Sequence, residues 1–458
     1  MARFFTLLFL LSIVGLVHSQ VNKVAAFENT PVGFASVNGW GQNGTTGGTG
    51  GDTLYFTSRA PLQAFMNARA KAKTTTPKVI VIQGTIANDT SISQIYVKRV
   101  ANLTIVGRGT DALLDGQGLA VISSRNIIIR NLTMRNAKPD CITVATTSTD
   151  SCHHIWIDHC TFSDDPEIDL SSSGTHDGLL DISHRSNFIT VSWCEFHNHD
   201  KVALLGYSDN STDETGNLST TYHHNWWNNT VQRHPRVRYA NCHVFNNYYD
   251  GTTTPVGTIG MGTTGGYGVT STCEADVLVE ANYFDKVVNP AEVGQGSSPV
   301  GDMRERYNML NNCTAGIQTR ATHAVPFEPS VYYTYKLDSA STLPALIKVA
   351  AGAGKLDGPN GLKNDAGTGH IAGFALEQNY PNPFNPSTVI TWSVPHDGQV
   401  SLKVYNQLGK EISTLVNGQQ SAGSYTAVFD AASLPSGLYF YTLKTGTVNL
   451  TKKMILMK

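Results

Sequence analysis

The chain is 458 residues long, and at ~150 residues per domain that length is a prior of about three domains, which one elongated β-fold reduces to two. Lys and Arg number 33 against 35 Asp and Glu, so the charged fraction is only 15% and the net charge −2. Coiled coils, acidic or basic tails and a bulk attraction for nucleic acid are excluded, and any anionic ligand must be met by a local cluster.

The first twenty residues carry Arg3, an apolar run from Phe4 to Val17, and then small or polar residues. The run is shorter than the ~20 residues that span a bilayer, so residues 1–19 read as a signal peptide cut near Ser19, with no membrane anchor. The mature protein is expected outside the cell. Seven cysteines, Cys141, Cys152, Cys160, Cys194, Cys242, Cys273 and Cys313, allow at most three disulfides there. They lack CxxC spacing, which argues against zinc, and for each one a buried apolar thiol stands beside a bridge as the reading.

Residues 60–72, APLQAFMNARAKA, form an amphipathic helix that is expected to cap the first coil of a repeating region. From about Leu103 to Phe284 one phrase repeats: a β-branched run, polar residues, and an aromatic or Met. Its copies are residues 127–134, 155–162, 189–196, 221–227, 243–249 and 277–284, ending on Met134, Phe162, Phe196, Trp227, Tyr249 and Phe284. Those anchors step by 28, 34, 31, 22 and 35 residues. A step of ~22 is one solenoid coil of short strands and turns, and the longer steps are the same coil with loops inserted. Second strands (141–144, 179–182, 202–205, 237–239) lie between the phrases, with no amphipathic helices to make βαβ units. Stacked coils therefore build parallel ladders ~4.8 Å apart, a parallel β-helix. Asn131, Asn187, Asn246 and Asn247 fit its turns, because Asn tolerates left-handed backbone and its amide reaches the next coil.

Residues 20–355 are assigned to this solenoid and 356–373, rich in Gly, Asn and Asp, to a linker. Residues 374–458 show alternating strands at 389–394, 400–405, 425–429 and 438–443, the pattern of a small β-sandwich.

Equivalent positions of neighbouring coils lie side by side, so charges remote in sequence share one flank. Asp140 opens the first second-strand, Asp177 and Asp181 flank the next in HDGLLD, and Lys201 begins the third. Arg233, Arg236 and Arg238 line the fourth in RHPRVR, with Arg236 expected to be solvent-facing filler. Four coils span ~15 Å, a few sugar rings. Carboxylates clustered without His or Cys favour Ca²⁺, which takes six to eight oxygens in irregular geometry, over Mg²⁺.

Over residues 31 to about 345 these motifs together resemble the polysaccharide lyase family that contains the Ca²⁺-dependent pectate lyases. The matching stretches include NLTIVGRGTDALLDGQGL, IWIDHCTF, DGLLDI followed by ITVSWCEFHNHDKVALLG, YHHNWWNN, RHPRVR and VLVEANYF. The resemblance implies a right-handed parallel β-helix and β-elimination on polygalacturonate; with the small C-terminal β-sandwich read from strand spacing, the architecture is all-β. It implies Asp140, Asp177 and Asp181 as Ca²⁺ ligands, Lys201 and Arg238 as binders of the substrate carboxylate, and Arg233 as the base. Asp158 and His159 match a family signature read as structural. Lys138 stands where some members carry a further Asp, which implies one metal ligand fewer or a weaker primary site. Cys160 and Cys194 are expected in the core. A guanidinium ordinarily stays protonated to about pH 12, so a base of this kind needs cations beside it and implies an alkaline optimum.

The C-terminal stretches NYPNPFNPST, VSLKVYNQLGKEISTL and LPSGLYFYTL resemble the sorting domain of the bacterial type IX secretion system, which makes that export machinery a partner. A carbohydrate-binding sandwich displaying Tyr439 and Tyr441 is the rival reading. For the solenoid the rivals are a metal-independent pectin lyase, a β-helix hydrolase and a non-catalytic pectin binder. The first would lack the aspartates and the second needs two carboxylates without cations between them. A monomer is expected.

Overall fold

A computed structural model describes residues 21–22, 30–88, 94–147, 150–164, 176–252, 260–263, 265–356, 375–376, 378–379, 382–394, 397–421, 423–446 and 448–457. The signal-peptide and linker assignments fall outside these residues, save for residue 356. Two compact units result, one holding described residues 30–356 and the other 375–457 together with Val21–Asn22.

The larger unit is a parallel β-helix of three sheets with eight, ten and nine strands. Each complete coil contributes one strand to each sheet, and the ladders of the three sheets are parallel. The six phrase anchors form one inward row of the nine-stranded sheet, Met134 to Phe162 to Phe196 to Trp227 to Tyr249 to Phe284, each paired in register with the next. Their rings stack at centroid distances of 5.0, 4.4, 5.9 and 4.2 Å from Phe162 onward. Large apolar side chains at a fixed coil position thus fill the interior by stacking on themselves, and this burial holds the coils together.

The turn from the ten-stranded to the nine-stranded sheet takes a single left-handed residue in every coil. Asn131, His159, Trp193, His224, Asn246, Ala281 and Tyr307 have φ between 48° and 61°. The following residue points inward, and there the structure builds a ladder of amides. Asn225 donates to Oδ1 of Asn247 at 3.0 Å, Asn247 to Oδ1 of Asn282 at 3.0 Å, and Asn282 to Oδ1 of Asn308 at 3.0 Å. Cys194 and Cys160 occupy the same position one and two coils before Asn225; both are buried and unbridged, as expected for core thiols. All seven cysteines are free. Asn187 departs from expectation: it lies within the strand Ser186–Ser192 and the left-handed residue is Phe188. Asp158 is fully buried, taking Arg130 at 2.6 Å, His159 at 2.7 Å and Ser192 at 2.7 Å, so it is part of the scaffold.

The helix Arg59–Ala72 buries Leu62 and Met66 in the same core, and Arg69 donates to the carbonyl of Ala101 at 2.8 Å. It closes the first coils as predicted, since an open coil would leave backbone and apolar side chains in water.

The smaller unit has two antiparallel four-stranded sheets around its own core. Sequence reading missed the strand Glu411–Gln420, whose faces alternate irregularly, and Val448–Leu456, whose inward row is interrupted by Lys452. Tyr439 and Tyr441 are 4% and 0% exposed, so they are core residues and present no sugar-binding face.

Candidate active site

The site lies on the outward face of the eight-stranded sheet, whose central strands are Asp140–Ala145, Gly178–Ile182, Ala203–Leu205 and Arg236–Arg238. One outward row runs in register from Thr143 through Asp181 and Leu204 to Arg236, Thr270 and Glu292.

Asp140, Asp177 and Asp181 each offer a carboxylate oxygen, and these oxygens lie within 4.8 Å of one another. Asp140 accepts from the Thr143 hydroxyl at 2.7 Å and from the Gly178 amide at 3.0 Å. Asp177 is set by its amide, which donates to the carbonyl of Pro139 at 2.8 Å. Oδ1 of Asp181 is buried and has no hydrogen-bond partner among the described residues. Gly178 makes the room: a Cβ there would stand 2.6 Å from Oδ1 of Asp181 and 3.3 Å from Oδ1 of Asp140.

Burial, with the charge of Asp177, raises Asp140 to about 6 against the hydrogen bonds from Thr143 and Gly178. Burial and the charge of Asp140 push Asp181 well above the usual carboxylate range, while Arg233 pulls it down. Crowded carboxylates with an orphaned oxygen and a glycine clearing form a cradle for a cation, and an all-oxygen donor set suits a hard one. The residues present fit Ca²⁺.

Cations stand along the same flank. Nζ of Lys201 lies 3.4 Å from Oδ1 of Asp177. Arg233 is partly exposed with φ 65°, and its buried Nε has no hydrogen-bond partner among the described residues. Arg238 donates through Nε to Asp209 at 2.6 Å, and Arg236 through Nη2 to Ser298 at 2.6 Å. Three crowded carboxylates and a row of cations face outward together on a parallel β-helix.

A pectate lyase family model matches residues 7–356 and a secretion system C-terminal sorting domain matches residues 378–457. The chain belongs to the pectate lyase family. The lyase is 33% identical over 368 residues to the pectate trisaccharide-lyase of Thermotoga sp. strain RQ2, covering 72% of this chain and 91% of the relative. It is 32% identical over 342 residues to that of Bacillus licheniformis, covering 74% and 90%. Among solved structures it resembles a pectate lyase from Bacillus sp. N165 in complex with trigalacturonate, at 30% identity and a TM-score of 0.58, covering 71% of this chain and 99% of that one. With its sorting domain the lyase is a secreted enzyme. Among the described residues no helix is long and apolar enough to cross a membrane.

Three sequence expectations about the lyase site change in the structure. Lys201 does not begin a strand of the site sheet; it ends Glu195–Lys201 in the nine-stranded sheet and reaches the site from the corner of the coil. Arg233 lies before the strand Arg236–Arg238, because the chain turns at a left-handed residue there and the alternation restarts. Arg236 is not solvent-facing filler. Val237 points into the core, so Arg236 and Arg238 both face outward, and Arg236 is half-buried against Ser298. Lys138 is exposed and stands outside the carboxylate cluster.

Sequence reading missed Thr143, Gly178 and the pair Asp164–His199, in which His199 contacts Asp164 at 2.8 Å and the carbonyl of Asp177 at 3.3 Å. Only Gly178, inside HDGLLD, carried a visible signal: a glycine between two acidic residues.

Proposed function

We propose that the lyase cleaves α-1,4-polygalacturonate by Ca²⁺-dependent β-elimination, releasing 4,5-unsaturated oligogalacturonides. The observation that carries this reading is the aspartate cluster, with Oδ1 of Asp181 lacking a hydrogen-bond partner among the described residues, set on one flank with Lys201, Arg233 and Arg238. In this reading Asp140, Asp177 and Asp181 hold Ca²⁺, which when bound supplies positive charge at a galacturonate C6 carboxylate. Lys201 and Arg238 bind the same carboxylate and stabilise the negative charge that develops beside it, typically the largest contribution in such catalysis. Arg233 takes the C5 proton; the released electron pair forms the C4–C5 double bond and the C4–O bond breaks, its oxygen leaving with a proton taken from water.

A metal-independent pectin lyase would have no use for three crowded carboxylates. A hydrolase needs an acid and a base across a subsite without cations, and the cations adjoining the carboxylates here suit elimination instead. Residues 1–19 as signal peptide, 20–355 as the catalytic unit, 356–373 as linker and 374–458 as the address read by the type IX machinery complete the proposal, with the enzyme acting as a monomer.

The test is ultraviolet absorbance of unsaturated uronate from polygalacturonate, lost on adding a chelator and restored by Ca²⁺. Reducing ends without that absorbance would establish a hydrolase. Absorbance indifferent to the chelator would remove the metal from the mechanism.

A further inference from the structure

Arg238, assigned above to the substrate carboxylate, is held by a residue from outside its strand. Its Nε donates to Oδ1 of Asp209 at 2.6 Å and its Nη1 to the carbonyl of Gly206 at 3.3 Å, leaving 11% of the side chain exposed. The second oxygen of Asp209 accepts from the Ser298 hydroxyl at 2.6 Å, and that hydroxyl accepts from Nη2 of Arg236 at 2.6 Å. One carboxylate thus orders two guanidiniums, the first directly and the second through a serine.

The node is itself fixed. The Tyr239 hydroxyl donates to the backbone carbonyl of Asp209 at 2.5 Å. Burial acts to raise the Asp209 carboxyl, but hydrogen bonds from Ser298 and Arg238 outweigh it and hold the group below the usual carboxylate range. Asp209 follows the strand Ala203–Leu205 and Ser298 follows Asn289–Val293, so loops from coils three steps apart meet over the strand that carries the arginines. Two like charges two residues apart on one outward face repel; an anion between them offsets the repulsion and sets the plane of each fork. A guanidinium binds a carboxylate through two parallel N–H bonds, so its orientation matters as much as its charge.

We propose that Asp209 is a positioning residue for Arg238 and, through Ser298, for Arg236, aligning both guanidiniums for uronate carboxylates on neighbouring sugars of one chain. The inference rests on the proposed lyase function and adds Arg236 to the substrate contacts. Asp209 touches neither the metal cluster nor the reacting carbon; its effect passes through the arginines.

The experiment is a double-mutant cycle on the full-length enzyme with Asp209→Asn, Arg238→Ala and both together, reading kcat and KM separately by the unsaturated-uronate assay. Melting temperature and Ca²⁺ affinity by calorimetry are measured alongside. Asp209→Asn alone is expected to lower kcat/KM about tenfold, the scale set by misplacing a binding group by a fraction of an ångström. In the Arg238→Ala background it is expected to add less than about threefold, because its main target is gone. Ca²⁺ affinity stays unchanged. Losses that multiply in the double variant, or an Asp209→Asn enzyme as active as the parent, overturn the inference. Should Asp209→Asn fail to fold, Ser298→Ala carries the test: KM about threefold higher at unchanged melting temperature supports it, and an unchanged KM overturns it. A parent that makes no unsaturated product overturns the lyase reading itself, whereas an active parent with multiplicative losses overturns only the role of Asp209.

Discussion

Asp140 and Asp181 stand on adjacent strands of the site sheet with carboxylate oxygens within 4.8 Å of each other, and burial together with the charge of Asp140 raises the pKa of Asp181. Without a cation this is repulsion stored in a folded sheet. A bound cation reverses its sign, so metal binding and stability are linked.

Ca²⁺ is therefore expected to raise the melting temperature of the parent, by about 2.7 kcal/mol of added stability at a hundredfold excess over its dissociation constant. Asp181→Asn removes one of the repelling charges. In chelator it should melt no lower than the parent, and Ca²⁺ should no longer shift it. Calorimetric scans with and without metal decide this; a variant still stabilised by Ca²⁺ would place the metal elsewhere.

Arg233→Lys keeps a cation near Asp181 but replaces the proton acceptor. General-base contributions run from about 10²- to 10⁴-fold, and a loss of kcat in that range with KM within a few-fold of the parent is expected. The parent's rate should climb into the alkaline range, because a guanidine base acts only when deprotonated. A pH–rate profile with its maximum below neutrality would remove Arg233 as the base.

Acid stability has two separable parts. Burial lowers His234 to about 3; its Nδ1 donates to the carbonyl of Tyr267 at 2.7 Å and its Nε2 faces the Thr230 hydroxyl at 2.9 Å. The unfolded chain takes up this proton near pH 6.5 and the folded chain does not, so stability falls from about pH 6.5 toward 3. Burial acts to raise Asp158, but His159 and Arg130 outweigh it and hold the carboxyl at about 2. Its contribution is full above the ordinary carboxylate range and is lost as pH falls from about 5 through 2. His234→Gln should flatten the upper part of the acid limb and Asp158→Asn the lower, read from denaturant unfolding at a series of pH values. Asp158→Asn should also cost about 3 kcal/mol at neutral pH by removing the buried charge that Arg130, His159 and Ser192 share.

Asn247→Ala breaks the amide ladder in its middle. Asn225 loses the acceptor of two N–H groups, its backbone amide at 2.9 Å and its side-chain amide at 3.0 Å, and Oδ1 of Asn282 loses a donor. With buried groups left unsatisfied, a loss of about 3 kcal/mol is expected. It should appear as a lower denaturant midpoint with an unchanged slope, whereas Asn417, on the exposed side of the smaller unit, should tolerate Ala within about 0.5 kcal/mol.

Much of this was legible along the chain. The aromatic anchors recur because each coil must place one large apolar residue over the last, and the structure stacks those six residues in register. The aspartates were legible because carboxylates concentrated in a charge-poor chain stand out. The amide ladder was half legible: Asn246 and Asn247 were visible as a turn, but Asn225, Asn282 and Asn308 fall at steps of varying length, and only coil stacking aligns them.

By itself the sequence determined the repeat, and with it the parallel ladders, the capping helix and the identity of the charged residues on the site face. All of these follow from local periodicity and composition. The tertiary structure decided which way those charges point. A left-handed residue at Arg233 restarts the alternation and turns Arg236 outward, the corner of a coil delivers Lys201, and two loops from distant coils bring Asp209 and Ser298 together over the arginines. Direction depends on single backbone dihedrals and on loops packed across coils, and neither leaves a period in the sequence.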